Sequence, residues 1–167
     1  CRGAGQLVLV RAPAGFGKTT AMMQARVRLE DAGVATAWLT LDRADNDVSR
    51  FLNCLDTAVR QLGLPGNDTV QALSRIDTPF ALFLDEFEVI HEAALLNIVR
   101  EIAHNLPRQG LLVIGSRSLP QIGLARLRVR GQLIEIDAER LRFSLQDTTS
   151  FFEKRTHVHK LSADQLF

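Results

Sequence analysis

Residues 7–20 read Leu-Val-Leu-Val-Arg-Ala-Pro-Ala-Gly-Phe-Gly-Lys-Thr-Thr, and this stretch decides the fold. The apolar run Leu7–Val10 is a strand, and the pattern that follows Thr20 is helical. Between them lies a glycine-rich turn that opens onto a helix N-terminus, where unpaired N–H groups and the positive end of the helix dipole meet an anion. Gly15 and Gly17 supply the positive φ values and close backbone approach that curl amides around phosphate oxygens. The spacing therefore predicts a phosphate-binding loop whose contacts come from Ala14, Gly15, Phe16, Gly17, Lys18, Thr19 and Thr20. Lys18 would reach the β- and γ-phosphates, and the Thr19 hydroxyl would ligate Mg²⁺. The full pattern asks for Gly at position 12, where this chain has Ala12, a change that costs little if that residue keeps negative φ.

Working outward, strands and helices alternate. That rhythm predicts an α/β fold, a P-loop NTPase with a parallel five-stranded sheet and helices on both faces. The strands are expected at 6–11, 35–41, 80–84, 111–114 and 133–136, the helices at about 18–31, 48–62, 69–75 and 91–106. Ser144 caps a further helix bearing Phe151 and Phe152, and Ser162 with Gln165 forms a capping box for another. On this reading residues 1–160 are the nucleotide-binding domain and 161–167 begin a truncated helical segment. The absence of an initiator Met before Cys1 points the same way, to a piece of a longer protein.

Composition sets bounds on the rest. A chain of 167 residues with 46% apolar and 23% charged residues is an ordinary one-domain globular protein. Its net charge of +1 argues against a dominant nucleic-acid surface. Cys1 and Cys54 have neither metal-like nor redox-like spacing, and no membrane span or signal peptide is visible, so a cytoplasmic protein with reduced thiols is expected.

The candidate chemistry lies where strands end, because ligands of open parallel sheets sit at the carboxyl edge. Asp85 and Glu86 follow the run Phe80–Leu84, the position of a Walker B element. Asp85 would hold Mg²⁺, and Glu86 would polarise the attacking water. Arg117 follows Leu111–Ile114 and can neutralise γ-phosphate charge from there. Asp42, Asp45, Asn46 and Asp47 cluster after the second strand and fit the Mg²⁺ surroundings, a switch that responds to them, or capping of the helix near 48; Asp47 is read as that cap, while Asp42 fits either role. Trp38 is read as core. Arg126, Arg128 and Arg130 alternate with Leu127 and Val129 without interleaved aromatics, which suits a solvated face. His91, His104, His157 and His159 show no ligand spacing.

The chain resembles the nucleotide-binding domain of the MalT-like, large LuxR-family transcriptional regulators, within the STAND class of P-loop ATPases. The matching stretches are Leu7–Thr20, Trp38–Phe51, Phe83–Ile90 and Ile114–Ile136, extended by Leu141–Phe152. The Trp-Leu-x-Leu-Asp block at Trp38 and the Ser-Arg-x-Leu-Pro block at Ser116 discriminate best. The resemblance implies a signal-responsive ATPase, resting with ADP and self-associating with ATP. It implies an inducer sensed through downstream repeats and DNA bound through a C-terminal helix-turn-helix, both outside this chain. The roles of Lys18, Thr19, Asp85, Glu86 and Arg117 carry over. Arg43 stands where an acid is common and Glu88 where His is common, and the stretch from Gly63 to Pro79 is short. The missing portion that closes over nucleotide implies loose binding and slow hydrolysis by this fragment. ATP over GTP is implied by the resemblance alone. A nucleotide or metabolite kinase is disfavoured by the lack of an Arg/Gly-rich lid, and a DNA-acting AAA-type motor by the lack of a convincing arginine finger.

Overall fold

A computed structural model describes residues 6–64 and 68–142. The helix expected at Ser144 with Phe151 and Phe152, the capping box at Ser162, and Cys1, His157 and His159 lie outside the described residues. In chain order the elements are β1 Gln6–Arg11, α1 Lys18–Asp31, β2 Ala35–Thr40, α2 Val48–Arg60, α3 Thr69–Ser74, β3 Phe80–Asp85 and α4 Ala93–His104. Then follow β4 Gly110–Ser116, α5 Leu124–Val129, β5 Leu133–Ile136 and α6 Ala138–Arg142. Short 3-10 turns at Arg43–Asn46 and Phe87–Val89 follow β2 and β3.

All strand pairings are parallel, in the order β2-β3-β4-β1-β5. The sheet is buried on both faces, which explains why β1, β3 and β4 read as unbroken apolar runs. Their side chains nevertheless divide with period two. Leu7, Leu9, Leu82, Leu84, Leu112 and Ile114 face the layer carrying Phe51, Leu55, Leu95 and Leu127 of α2, α4 and α5. Val8, Val10, Phe83 and Val113 face Ala21, Met22 and Ala25 of α1 and Leu141 of α6. The expected α/β architecture is therefore present. Trp38 departs from a plain core role, being half-buried and stacked on Phe83 with ring centroids 5.1 Å apart.

Several boundaries differ from expectation for local reasons. β2 ends at Thr40, although the Leu41 N–H still donates to the Asp85 carbonyl at 3.0 Å. α4 occupies 93–104 rather than 91–106, because the His91 and Glu92 N–H groups bond to Asn46 Oδ1. β4 runs two residues past Ile114, since Gly115 and Ser116 pair with Val10 and Arg11 of β1. The arginines at 126, 128 and 130 lie in and just after helix α5, and all three are exposed, as a solvated face requires.

Candidate functional site

The loop between β1 and α1 combines a buried start with a left-handed turn. Ala12 is buried and has no positive φ, so the missing glycine costs no strain there. Gly15 (φ 80°) and Gly17 (φ 82°) both occupy the left-handed region, where a side chain would be strained. Gly17 caps α1 without any side-chain bond to the helix's first N–H groups. A 14-residue helix thus presents its dipole and open amides toward the loop. Ala14 and Thr20 are exposed and Phe16 packs partly against the α1-side core. Lys18 is almost fully buried, and its Nζ donates to the Ala12 carbonyl at 2.9 Å and the Pro13 carbonyl at 3.3 Å. Its charge is held at the loop by carbonyl dipoles, not by a carboxylate.

Thr19 and Asp85, far apart in sequence, meet here. The Thr19 hydroxyl donates to Asp85 Oδ2 at 2.6 Å, and Asp85 Oδ1 accepts the Glu86 N–H at 2.9 Å. Asp85 is only 2% exposed. A buried carboxylate needs such donors. The room for it comes from Gly115 on β4: a Cβ there would lie 2.7 Å from Asp85 Oδ1 and 2.6 Å from Met22 Sδ. Gly115 was not legible as a site residue, because the apolar run that marks β4 stops at Ile114. The Thr19 hydroxyl and Asp85 carboxylate are hard oxygen donors suited to Mg²⁺, which keeps much of its shell as water and phosphate oxygens. No cluster of three metal-binding side chains occurs among the described residues.

Beyond Asp85 the chain turns sharply. Glu86 takes φ 58° and is the one non-glycine residue with positive φ among those described. Strain of that kind at a strand end, next to a buried acid, is a mark of functional sites. Glu86 Oε2 lies 3.6 Å from Arg117 Nη2, and Glu88 Oε1 lies 2.9 Å from Arg117 Nε. The Arg117 N–H also donates to Glu88 Oε2 at 3.3 Å. The Glu86 carboxyl is pushed above the ordinary carboxylate range, first by a hydrogen bond with Glu88, then by burial and by the charges of Glu88 and Asp85; Arg117 opposes the shift. These side chains, with Arg43, Val89 and His91, line an open cleft of about 550 Å³. Its lining includes no residue of 12–20.

Asn46 ties the walls of that cleft together. Its Nδ2 donates to the Val89 carbonyl at 2.8 Å, and its Oδ1 accepts the His91 and Glu92 N–H groups at 2.9 and 3.1 Å. Asp42 caps the 3-10 turn through the Ala44 N–H, and Asp45 closes a capping box while paired to Arg50 at 3.0 Å. The capping role open to Asp42 is thus filled. Asp47 caps α2 through the Arg50 N–H at 2.8 Å, as expected. Asn46 stands in the polar cluster after β2 and Glu88 in the Phe83–Ile90 block, but nothing in the sequence marks the contacts that either makes across the cleft.

No protein-family model matches the chain. The HTH-type transcriptional regulator MalT of Klebsiella pneumoniae, in each of two strains, is 31% identical to it over 90% of its length. The chain carries a MalT-like P-loop domain. This MalT-like domain spans 18% of the length of those relatives. Among solved structures, a Signal Transduction ATPase with Numerous Domains with a tetratricopeptide repeat sensor, from Pyrococcus horikoshii, superposes with a TM-score of 0.46 at 16% identity, covering 90% of this chain and 25% of that one. The Aeropyrum pernix Orc1 protein, solved in complex with DNA, gives 0.49 at 21% identity, over 87% and 44%. Among the described residues of the MalT-like domain no helix is long and apolar enough to cross a membrane.

Proposed function

We propose that the chain is the nucleotide-binding switch module of a signal-responsive transcriptional activator. Residues 1–160 form the nucleotide-binding domain. The module binds ATP or ADP with Mg²⁺ at the 12–20 loop and hydrolyses ATP slowly. The observation that carries this reading is the 2.6 Å Thr19–Asp85 hydrogen bond, which joins the phosphate loop to the acidic end of β3.

In that site the amides from Ala14 to Thr20 receive phosphate oxygens at the α1 N-terminus. Lys18 exchanges its carbonyl partners for the β- and γ-phosphates. Thr19 and Asp85 would hold Mg²⁺, which would neutralise phosphate charge. Glu86 orients the attacking water and accepts its proton at a carboxylate oxygen. Arg117 stands opposite charge that develops on the γ-phosphate. The relatives are regulators of transcription by name, which supports DNA contact through a helix-turn-helix and inducer contact through repeats, both beyond this chain, with self-association in the ATP form.

Calorimetric titration of the protein with ADP and with ATP, each with Mg²⁺, beside Lys18→Ala tests the reading. Saturable binding that the variant loses is expected. Equal binding by the variant would remove the phosphate-loop assignment.

A further inference from the structure

Arg117 reaches the carboxyl edge of the sheet with its guanidinium already engaged. Glu88 holds it twice, through the side chain at 2.9 Å and through the backbone N–H at 3.3 Å. The Glu88 side chain is 15% exposed and that of Arg117 52%, so the carboxylate is the fixed partner and the guanidinium the one able to leave. The 3-10 turn that carries Glu88 is itself pinned through Val89 to Asn46. The side-chain contact is a close charge pair without hydrogen-bond alignment, because Glu88 Oε1 is sealed from solvent and receives no aligned N–H. Such a contact is easily exchanged, since hydrogen bonds weaken steeply with misalignment.

We propose that Glu88 is a latch on Arg117: it competes with the terminal phosphate of a bound nucleoside triphosphate for the same guanidinium, and so sets the preference between triphosphate and diphosphate. The proposal rests on the phosphate-site reading above and deepens it. Carboxylate and phosphate are matched by the same planar fork of donors, so the Nε edge of Arg117 that meets Glu88 serves one of them at a time, while Nη2 faces Glu86 at 3.6 Å. A diphosphate has no γ-oxygens to offer and leaves the latch closed. A triphosphate must open it, and its apparent affinity falls by the population of the closed arrangement. Glu88 touches no reacting atom in this scheme; it is a positioning residue.

The test is calorimetric, in the full-length protein, with ADP and a non-hydrolysable ATP analogue, each with Mg²⁺. The chains compared are wild type, Glu88→Gln, Arg117→Gln and the double variant. Glu88→Gln is expected to tighten the triphosphate analogue about two- to fivefold, the range for a half-exposed ion pair, and to leave ADP unchanged. In the Arg117→Gln background the same substitution should change neither affinity. An unchanged triphosphate-to-diphosphate ratio overturns the latch. So does selective weakening of the triphosphate, which would mean that Glu88 presents Arg117 to phosphate. If Glu88→Gln fails to fold, Glu88→Asp, one methylene short of Arg117, carries the same comparison with the same expected direction. A wild-type protein that binds neither nucleotide overturns the phosphate-site reading itself, an outcome distinct from failure of the latch.

Discussion

Gly115 is the position where the fold and the site are most tightly bound together, and Gly115→Ala perturbs both at once. The added methyl would stand 2.6 Å from Met22 Sδ and 2.7 Å from Asp85 Oδ1, so one or both side chains must shift. Met22 is fully buried in the α1-side core, and Asp85 is fixed by Thr19 at 2.6 Å and by the Glu86 N–H at 2.9 Å. Overpacking of a core in this way costs about 1–3 kcal/mol, and weakening a hydrogen bond to a charged group adds about 1.5 kcal/mol. For a domain of this size the sum lowers Tm by about 5–15 °C. Gly110→Ala is the control. Its Cβ would meet Phe80 Cζ at 2.9 Å and Pro107 Cδ at 3.1 Å, at the opposite end of the same strand. Five residues of strand put that clash about 17 Å from Gly115. Thermal melts should show both variants destabilised. Titration with ADP, with and without Mg²⁺, should show the Mg²⁺-dependent gain lost in Gly115→Ala alone. A Gly115→Ala protein as stable as wild type, or an equal loss of the Mg²⁺ effect in the Gly110 control, would refute the reasoning.

Lys18→Ala should weaken MgATP binding by about 2–5 kcal/mol, thirtyfold or more, because it removes the one buried ammonium at the loop. Glu86→Gln should spare binding and abolish turnover in a phosphate-release assay. It should also change the pH dependence of stability. A folded-state pKa raised above the unfolded value gives a contribution that is full below about 4 and lost as pH rises through the raised value. Melts across that window should show the variant gaining on wild type toward neutral pH, and a constant difference would contradict the shift. Asn46→Ala removes bonds to Val89, His91 and Glu92, and urea unfolding should report a loss of about 1–3 kcal/mol.

The residues whose local chemistry sets an element were readable in the sequence. β1, α1 and β5 lie where the periodicity puts them, since Gly17 fixes the start of α1 and apolar runs fix the strands. Asp47 reads as a cap because Asp accepts its own helix's N–H groups, a local event. The site's deeper layer is different in kind. Glu88 and Arg117 are 29 residues apart, and Asn46 and Glu92 are 46 apart; each pair meets between loops, where no period marks a side chain. Gly115 reads as a strand stop because glycine lacks β propensity, yet it belongs to the strand because a buried carboxylate needs its missing Cβ. The strand order is likewise a property of crossovers, which alternation alone does not specify.

The charges at the carboxyl edge lead to one more expectation, about metal removal. Asp85, Glu86 and Glu88 stand there with Arg117 and Arg43, and Lys18 waits at the loop. Arg117 is engaged by two of the acids, and Asp85 has only neutral donors among its hydrogen-bond partners, the Thr19 hydroxyl and the Glu86 N–H. A triphosphate brought near this edge therefore meets an unneutralised buried carboxylate. Each charge about 5 Å away opposes it by on the order of 3 kcal/mol at an effective dielectric constant near 20. A divalent cation between Asp85 and the phosphates reverses the sign of that interaction. Chelating Mg²⁺ should then weaken ATP binding by orders of magnitude in wild type and by much less in Asp85→Asn, whose amide no longer repels phosphate. Equal sensitivity of both proteins to chelation would mean that Asp85 is a hydrogen-bonded strut for Thr19 and not the acid that makes the site depend on metal.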